Sequence, residues 1–285
     1  VSALHRPVLD WYAANARDLP WRRPGVGAWA VMVSEFMLQQ TPVVRVLPAY
    51  EAWMERWPTP GALAAEPAGE AVRAWGRLGY PRRALRLHAC AVAIAERCDG
   101  CVPDTIAELR SLPGVGEYTA AAIASFAYGG AHAVLDTNVR RVLGRAVAGV
   151  EYPAPALTRD ERDLASTLIP EDAPEVWAVA VMELGALVCT ANGPACERCP
   201  IADRCAWVGA GRPAYDGPPR KVQTYDGTDR QCRGRLLAVL RDAEGTVARD
   251  RLDRAWGDAD QRDRALASLL ADGLVVQEHG RFRLP

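Results

Sequence analysis

Four cysteines crowd into the stretch CTANGPACERCPIADRC: Cys189, Cys196, Cys199 and Cys205, spaced C-x6-C-x2-C-x5-C. Four thiols in so short a loop suit a tetrahedral metal ion or a [4Fe–4S] cluster; in a reducing cytosol two disulfides there are disfavoured. Spacing alone does not separate iron–sulfur from zinc. Zinc ribbons usually draw two C-x-x-C pairs from separated segments, which tilts the reading toward the cluster. With cysteine at all four positions no coordination site is left open, so a structural group is expected. The remaining cysteines, Cys90, Cys98, Cys101 and Cys232, are scattered and read as small buried hydrophobes.

Two carboxylates stand out. Glu35 lies in the apolar helical stretch AVMVSEFMLQQT. A charge there is costly unless it is paired, protonated or at work, and burial raises a carboxyl pKa toward that of a general acid. The alternative is a glutamate on the polar face of an amphipathic helix. Asp136 follows AHAVL and precedes TNVRRVLGR, where its default role is a helix N-cap. Two carboxylates far apart in sequence can nevertheless flank one reacting bond, as in glycoside hydrolysis. The third feature is LPGVGEYTAAAI. Gly114 and Gly116 permit a tight turn and leave backbone N–H groups open at a helix N-terminus, which is either a phosphate site or a plain helical hairpin.

The elements that must position these residues are helical. Apolar residues recur at helical spacing in VLPAYEAWMERW, GEAVRAWGRLGY, ALRLHACAVAIAERC and EVWAVAVMELGALVC, and strand-like alternation is scarce before residue 230. An all-α body of roughly ten helices is expected. Residues 208–229 are rich in Gly, Pro and Asp without a period and read as a linker. Residues 230–285 read as three short helices and a β-hairpin with a His-Gly turn, a small winged-helix-like module. The chain has 285 residues, 49% of them hydrophobic, enough for more than one domain. A net charge of −1 decides nothing about nucleic acid, because phosphate binding depends on local patches. No run suits a membrane span or signal peptide, so a cytoplasmic protein is expected.

In order along the chain, LPWRR (19–23), VSEFMLQQTPV (33–43), WGRLGYPRRA (75–84), LPGVGEYTAAAI, LDTNVRRVLGRA (135–146), MELGALVC (182–189) and the four-cysteine loop resemble the helix-hairpin-helix DNA glycosylases that carry an iron–sulfur loop. The resemblance covers about residues 8–207. Within that family SEFMLQQT is similar to the adenine-glycosylase branch, MutY. The resemblance implies a six-helix barrel over about 28–130 and an iron–sulfur helical domain from about 1–27 and 131–207. It also implies a [4Fe–4S] cluster and a monomer acting on duplex DNA with an adenine mispair, the flipped base lying between the two domains. Glu35 would protonate adenine at N7, and Asp136 would stabilise or attack the cation at C1′, with Asn138 orienting the site. Glu183 and Arg22 would hold the adenine. Gln40, Thr41, Leu78, Gly79 and Tyr80 would wedge into the duplex, and Gly114, Gly116, Arg198 and Arg204 would grip its backbone.

The endonuclease III branch carries a lysine directly after the hairpin, an amine that attacks C1′ and leads to strand cleavage. Tyr118 stands there in this chain, and the only lysine is Lys221. A monofunctional enzyme that leaves an abasic site is therefore expected. Typical members of the branch continue into a Nudix-like domain, whereas residues 230–285 match the short actinobacterial forms, which leaves the reading of the opposite base open. Two rivals are a mismatch thymine or uracil glycosylase on the same scaffold, and a non-catalytic iron–sulfur DNA-binding regulator. Glu35 argues against the first, since pyrimidine release needs no N7 protonation; retention of both carboxylates argues against the second.

Overall fold

The computed structural model describes residues 2–217 and 225–285; the middle of the expected linker, including Lys221, lies outside the described residues. In chain order the helices are α1 (His5–Asn15), α2 (Ala28–Leu38), α3 (Val43–Arg56), α4 (Pro60–Ala64), α5 (Ala68–Trp75), α6 (Arg82–Arg97), α7 (Ile106–Ser111), α8 (Glu117–Tyr128), α9 (Thr137–Ala146), α10 (Arg159–Thr167), α11 (Pro174–Leu187), α12 (Ala206–Gly209), α13 (Asp229–Arg241), α14 (Arg249–Asp253) and α15 (Ala259–Ala271). The strands among the described residues are short: β1 (Val247–Ala248), β2 (Val276–Glu278) and β3 (Arg281–Arg283). The fold is mostly helical, and no helix among the described residues is long and apolar enough to cross a membrane.

The chain forms two compact units, each assembled from separated segments. The first comprises Val1–Val31, Asp104–Arg110 and Val115–Pro219. Its core is α11, apolar on most faces and therefore buried, with α1 and α9 packed on it. Val8, Val139, Val142 and Leu143 meet Trp177, Val181 and Leu184 there. Gly185 lets α11 approach α9 closely, because a Cβ at that position would lie 2.7 Å from the Cβ of Asn138. The alanine-rich α8 also packs on α11, with Ala122, Val134 and Ala178 in contact. Its contacts group α8 with α11 in the first unit. The described start of the expected linker is tied to this unit as well: Trp207 Nε1 donates to Pro213 O (2.8 Å) and Tyr215 N to Glu151 Oε2 (2.7 Å).

The second unit comprises Met32–Pro103, Ser111–Gly114 and Arg220–Pro285. Ala84, Leu87, Ala91 and Ile94 form one buried face of α6, which packs against α4 and α5. Trp53 meets Trp57 and Trp75 edge-on, at 4.6 and 5.7 Å between ring centroids. After α13 the chain runs β1, α14, α15, β2, β3, and the antiparallel sheet has the order β1-β3-β2. His279 and Gly280, both at positive φ (50° and 74°), form the two-residue turn between β2 and β3.

Candidate active site and cysteine cavity

In the second unit Glu35 is 5% exposed, surrounded in sequence by Met32, Val33, Phe36 and Met37, all buried. Burial removes the solvated-face alternative for this residue. The helix that carries it ends at Leu38, and its last turn is held by a side chain that motif reading did not single out. Arg83 Nη1 donates to the carbonyls of Phe36 (2.9 Å), Met37 (2.9 Å) and Gln39 (2.5 Å). Arg83 Nη2 donates to Thr41 Oγ1 (2.9 Å) and Gly79 O (3.0 Å). One guanidinium therefore caps α2 and ties residues 36–41 to the loop at Gly79. Burial pushes the Arg83 pKa down to about 10.

The five expected wedge residues divide by exposure. Gln40, Gly79 and Tyr80 are exposed, all at positive φ (55°, 85° and 46°). Thr41 and Leu78 are buried, with Thr41 Oγ1 donating to Leu78 O (3.2 Å). Gly114 has φ 80°, and a Cβ there would lie 2.8 Å from the Arg86 Cβ, so both backbone conformation and space require glycine. Gly116 is the N-cap of α8, with ordinary φ and open space around it; the helix start carries no side-chain cap. Its first N–H groups are thus without an intrahelical partner.

In the first unit Asp136 caps α9. Its Oδ1 accepts from Val139 N (2.7 Å) and its Oδ2 from Asn138 Nδ2 (2.8 Å). Arg141 Nη2 in turn donates to Asn138 Oδ1 (2.8 Å) and Gly185 O (2.7 Å), and its Nε to Cys189 O (2.7 Å). Asn138 is thereby fixed in one orientation, and a chain of hydrogen bonds runs from the carboxylate to the first cysteine. Burial raises the pKa of Asp136; the donated hydrogen bonds and the charge of Arg141 oppose that rise without cancelling it.

Glu183 is fully buried on α11. Arg17 donates to it from Nε (2.6 Å) and Nη2 (2.7 Å), and Arg22 from Nη1 (2.8 Å). Burial alone would raise its pKa, but the hydrogen bonds and charges of Arg17 and Arg22 outweigh burial and bring it down to about 2. Arg17 was not legible as a site residue; the signal was a buried glutamate in need of a second cation. Tyr118, half-buried at the start of α8, packs against the cluster of Ala122, Val134 and Ala178.

Cys189, Cys196, Cys199 and Cys205 line one cavity of about 20 Å³, with Arg145, Val188 and Trp207. All four are free thiols. The buried Arg145 donates to Thr190 O (2.8 Å) and reaches Cys189 Sγ (3.5 Å), with its guanidinium 4.8 Å from the Trp207 ring. Among the described residues no three or more His, Cys, Asp or Glu side chains converge as ligands of a single ion. Arg198 and Arg204 are exposed on the same loop, Arg204 beside Asp203 (3.2 Å).

Residues 33–163 match the family model described as HhH-GPD superfamily base excision DNA repair protein. An adenine DNA glycosylase of Mycobacterium tuberculosis is 57% identical over 283 residues, covering 98% of this chain and 92% of the relative. The adenine DNA glycosylase of Mycolicibacterium smegmatis is 56% identical, covering 97% and 94%. A solved thermostable thymine-DNA glycosylase superposes with a TM-score of 0.66 at 25% identity, over 73% of this chain and 96% of that one. Because that identity of 57% extends over 98% of the chain, and so over both units, the chain belongs to the adenine DNA glycosylase family of the HhH-GPD superfamily.

Proposed function

We propose that this protein is a monofunctional adenine DNA glycosylase of base excision repair, which hydrolyses adenine from duplex DNA where it is mispaired with 8-oxoguanine or guanine. The observation that carries the adenine reading is Glu35, a carboxyl group buried in a helix end where Ser34 is the only other polar side chain. Protonated, it gives its proton to adenine N7, and the C1′–N9 bond breaks with the electron pair leaving on the base. The Asp136 carboxylate, oriented by Val139 N–H and Asn138, stabilises the positive charge left at C1′ until water adds and loses a proton. Arg141 positions Asn138. Glu183 acts as a fixed anion that sets Arg22 at the adenine.

Thymine release on the related scaffold leaves Glu35 without a task, and the adenine relatives are far closer in sequence. Tyr118 offers no amine to C1′, so the reaction ends at the abasic site. Gln40, Gly79 and Tyr80 meet the duplex, with Thr41 and Leu78 supporting them from beneath, and the uncapped start of α8 takes a phosphate. Arg198 and Arg204 add charge beside the backbone.

Cys189, Cys196, Cys199 and Cys205 would hold a [4Fe–4S] cluster: four thiols from one loop line a single cavity beside the buried Arg145 guanidinium. When bound, the cluster supplies a rigid charged cross-link to the loop. Residues 230–285 form a winged-helix-like module joined to the glycosylase core of residues 1–207, and the enzyme acts as a monomer.

The test is single-turnover excision from duplexes carrying A opposite 8-oxoguanine, G or C, with T:G and U:G as controls. Adenine release from the first two is expected; release from only the pyrimidine mismatches would sink the assignment. Glu35→Gln should lower the rate by about 10²- to 10⁴-fold while duplex binding is kept.

A further inference from the structure

We infer that the C-terminal module braces the loop of residues 76–81 between α5 and α6, and that Arg230 is a positioning residue acting through Tyr80. This rests on the reading of that loop as the duplex-facing wedge. Three residues of the loop occupy the left-handed region: Gly76 (φ 53°), Gly79 (φ 85°) and Tyr80 (φ 46°). Tyr80, which has a Cβ and is 44% exposed, holds that conformation only where its surroundings over-determine it.

The surroundings come from two sides. Within the α5–α6 region, Trp75 Nε1 and Arg83 Nη2 both donate to Gly79 O (2.9 and 3.0 Å), and the Arg83 guanidinium lies 5.5 Å from the Tyr80 ring. The module supplies the rest. Arg230, in the first turn of α13, brings a second guanidinium to 5.5 Å from the same ring. On the α5 side of the loop, Arg241 Nε donates to Val72 O (3.0 Å), Arg73 donates to Arg241 O, and Gly69 N donates to Pro285 O (2.7 Å). A Cβ on Gly69 would collide with that Pro285 oxygen, so the module is seated against bare backbone. On the α6 side, Asp272 joins Arg82 (3.3 Å) to Arg233 (2.6 Å).

The loop is therefore gripped before, within and after. Five of the eight other module arginines pair with the module's own carboxylates: Arg249 and Arg262 with Asp253, Arg254 with Asp250, Arg264 with Asp229, Arg283 with Glu278. That favours a brace over an independent phosphate-binding surface.

The experiment uses the full chain and two mispair duplexes, one with ordinary adenosine to read excision and one with a non-hydrolysable adenosine analogue to read binding, the second carrying 2-aminopurine next to the estranged base to report unstacking. Arg230→Ala should weaken binding about 3- to 5-fold and blunt the 2-aminopurine rise, while excision at saturating enzyme and the melting temperature hold. Arg230→Lys should recover most of both signals. Asp272→Asn, which loosens the other end of the brace, should blunt the rise as well. Arg254→Ala removes the same charge far from the loop and should leave the fluorescence response intact. Equal effects of Arg230→Ala and Arg254→Ala, or none from Arg230→Ala, overturn the brace. Wild-type unstacking without adenine release would instead overturn the assigned activity, with the brace still measurable by fluorescence.

Discussion

On the proposed reading, Tyr118 decides where the reaction stops. An amine at this position, the second residue of α8, would convert hydrolysis into Schiff-base chemistry. Tyr118→Lys should yield a borohydride-trapped adduct with DNA and detectable strand cleavage, both absent from the wild type; a wild-type adduct of equal yield would contradict the monofunctional reading. Glu183 makes a different kind of prediction. Its pKa in the fold, about 2, lies below the ordinary 4.5, so its ion pairs with Arg17 and Arg22 stabilise the fold above pH 4.5. That contribution, on the order of 3 kcal/mol, is lost as pH falls from about 4.5 toward 2. Urea unfolding across that range should show the decline, and Arg17→Ala should flatten it. Asp136 runs the other way: its raised pKa makes ionisation costlier in the fold, so the acid limb of the excision rate should lie above the ordinary aspartate range.

Packing of one element on another sets how firmly these groups are held. The α9–α11 crossing depends on Gly185, whose missing side chain leaves room for Asn138. Gly185→Ala should cost about 1–3 kcal/mol in urea unfolding and slow excision as well, since Asn138 orients Asp136. A loss of stability with an unchanged rate would separate packing from catalysis. The motifs legible in the sequence were local ones: a carboxyl amid apolar residues, two glycines before a helix, four thiols in one loop. Arg17 and Arg83 were hidden because arginine is abundant throughout this chain and neither sits at a telling spacing. What marks them is the set of buried acceptors that the topology delivers, carbonyls of residues 36–39 and 79 in one case and Glu183 in the other. The grouping of α8 with α11 was hidden too, because a helix of small residues shows little preference for one face.

At the scale of the whole molecule, the cysteine cavity and the C-terminal module each close a long-range connection. Protein isolated without oxygen should carry about four irons per chain and a visible charge-transfer band, and Cys199→Ser should lose most of that band and melt earlier. One zinc per colourless chain would overturn the cluster. The interleaving of the two units bears on how the protein is made. Helix α1 buries Val8 in the α11 cluster, about 170 residues further along the chain. At synthesis rates of about 5 to 20 residues per second α1 waits roughly 8 to 35 s for that partner to be translated, with its apolar stripe uncovered. During that interval the nascent chain is a client for chaperones that shield apolar helices, and the yield of active enzyme should depend on them more than its final stability would suggest.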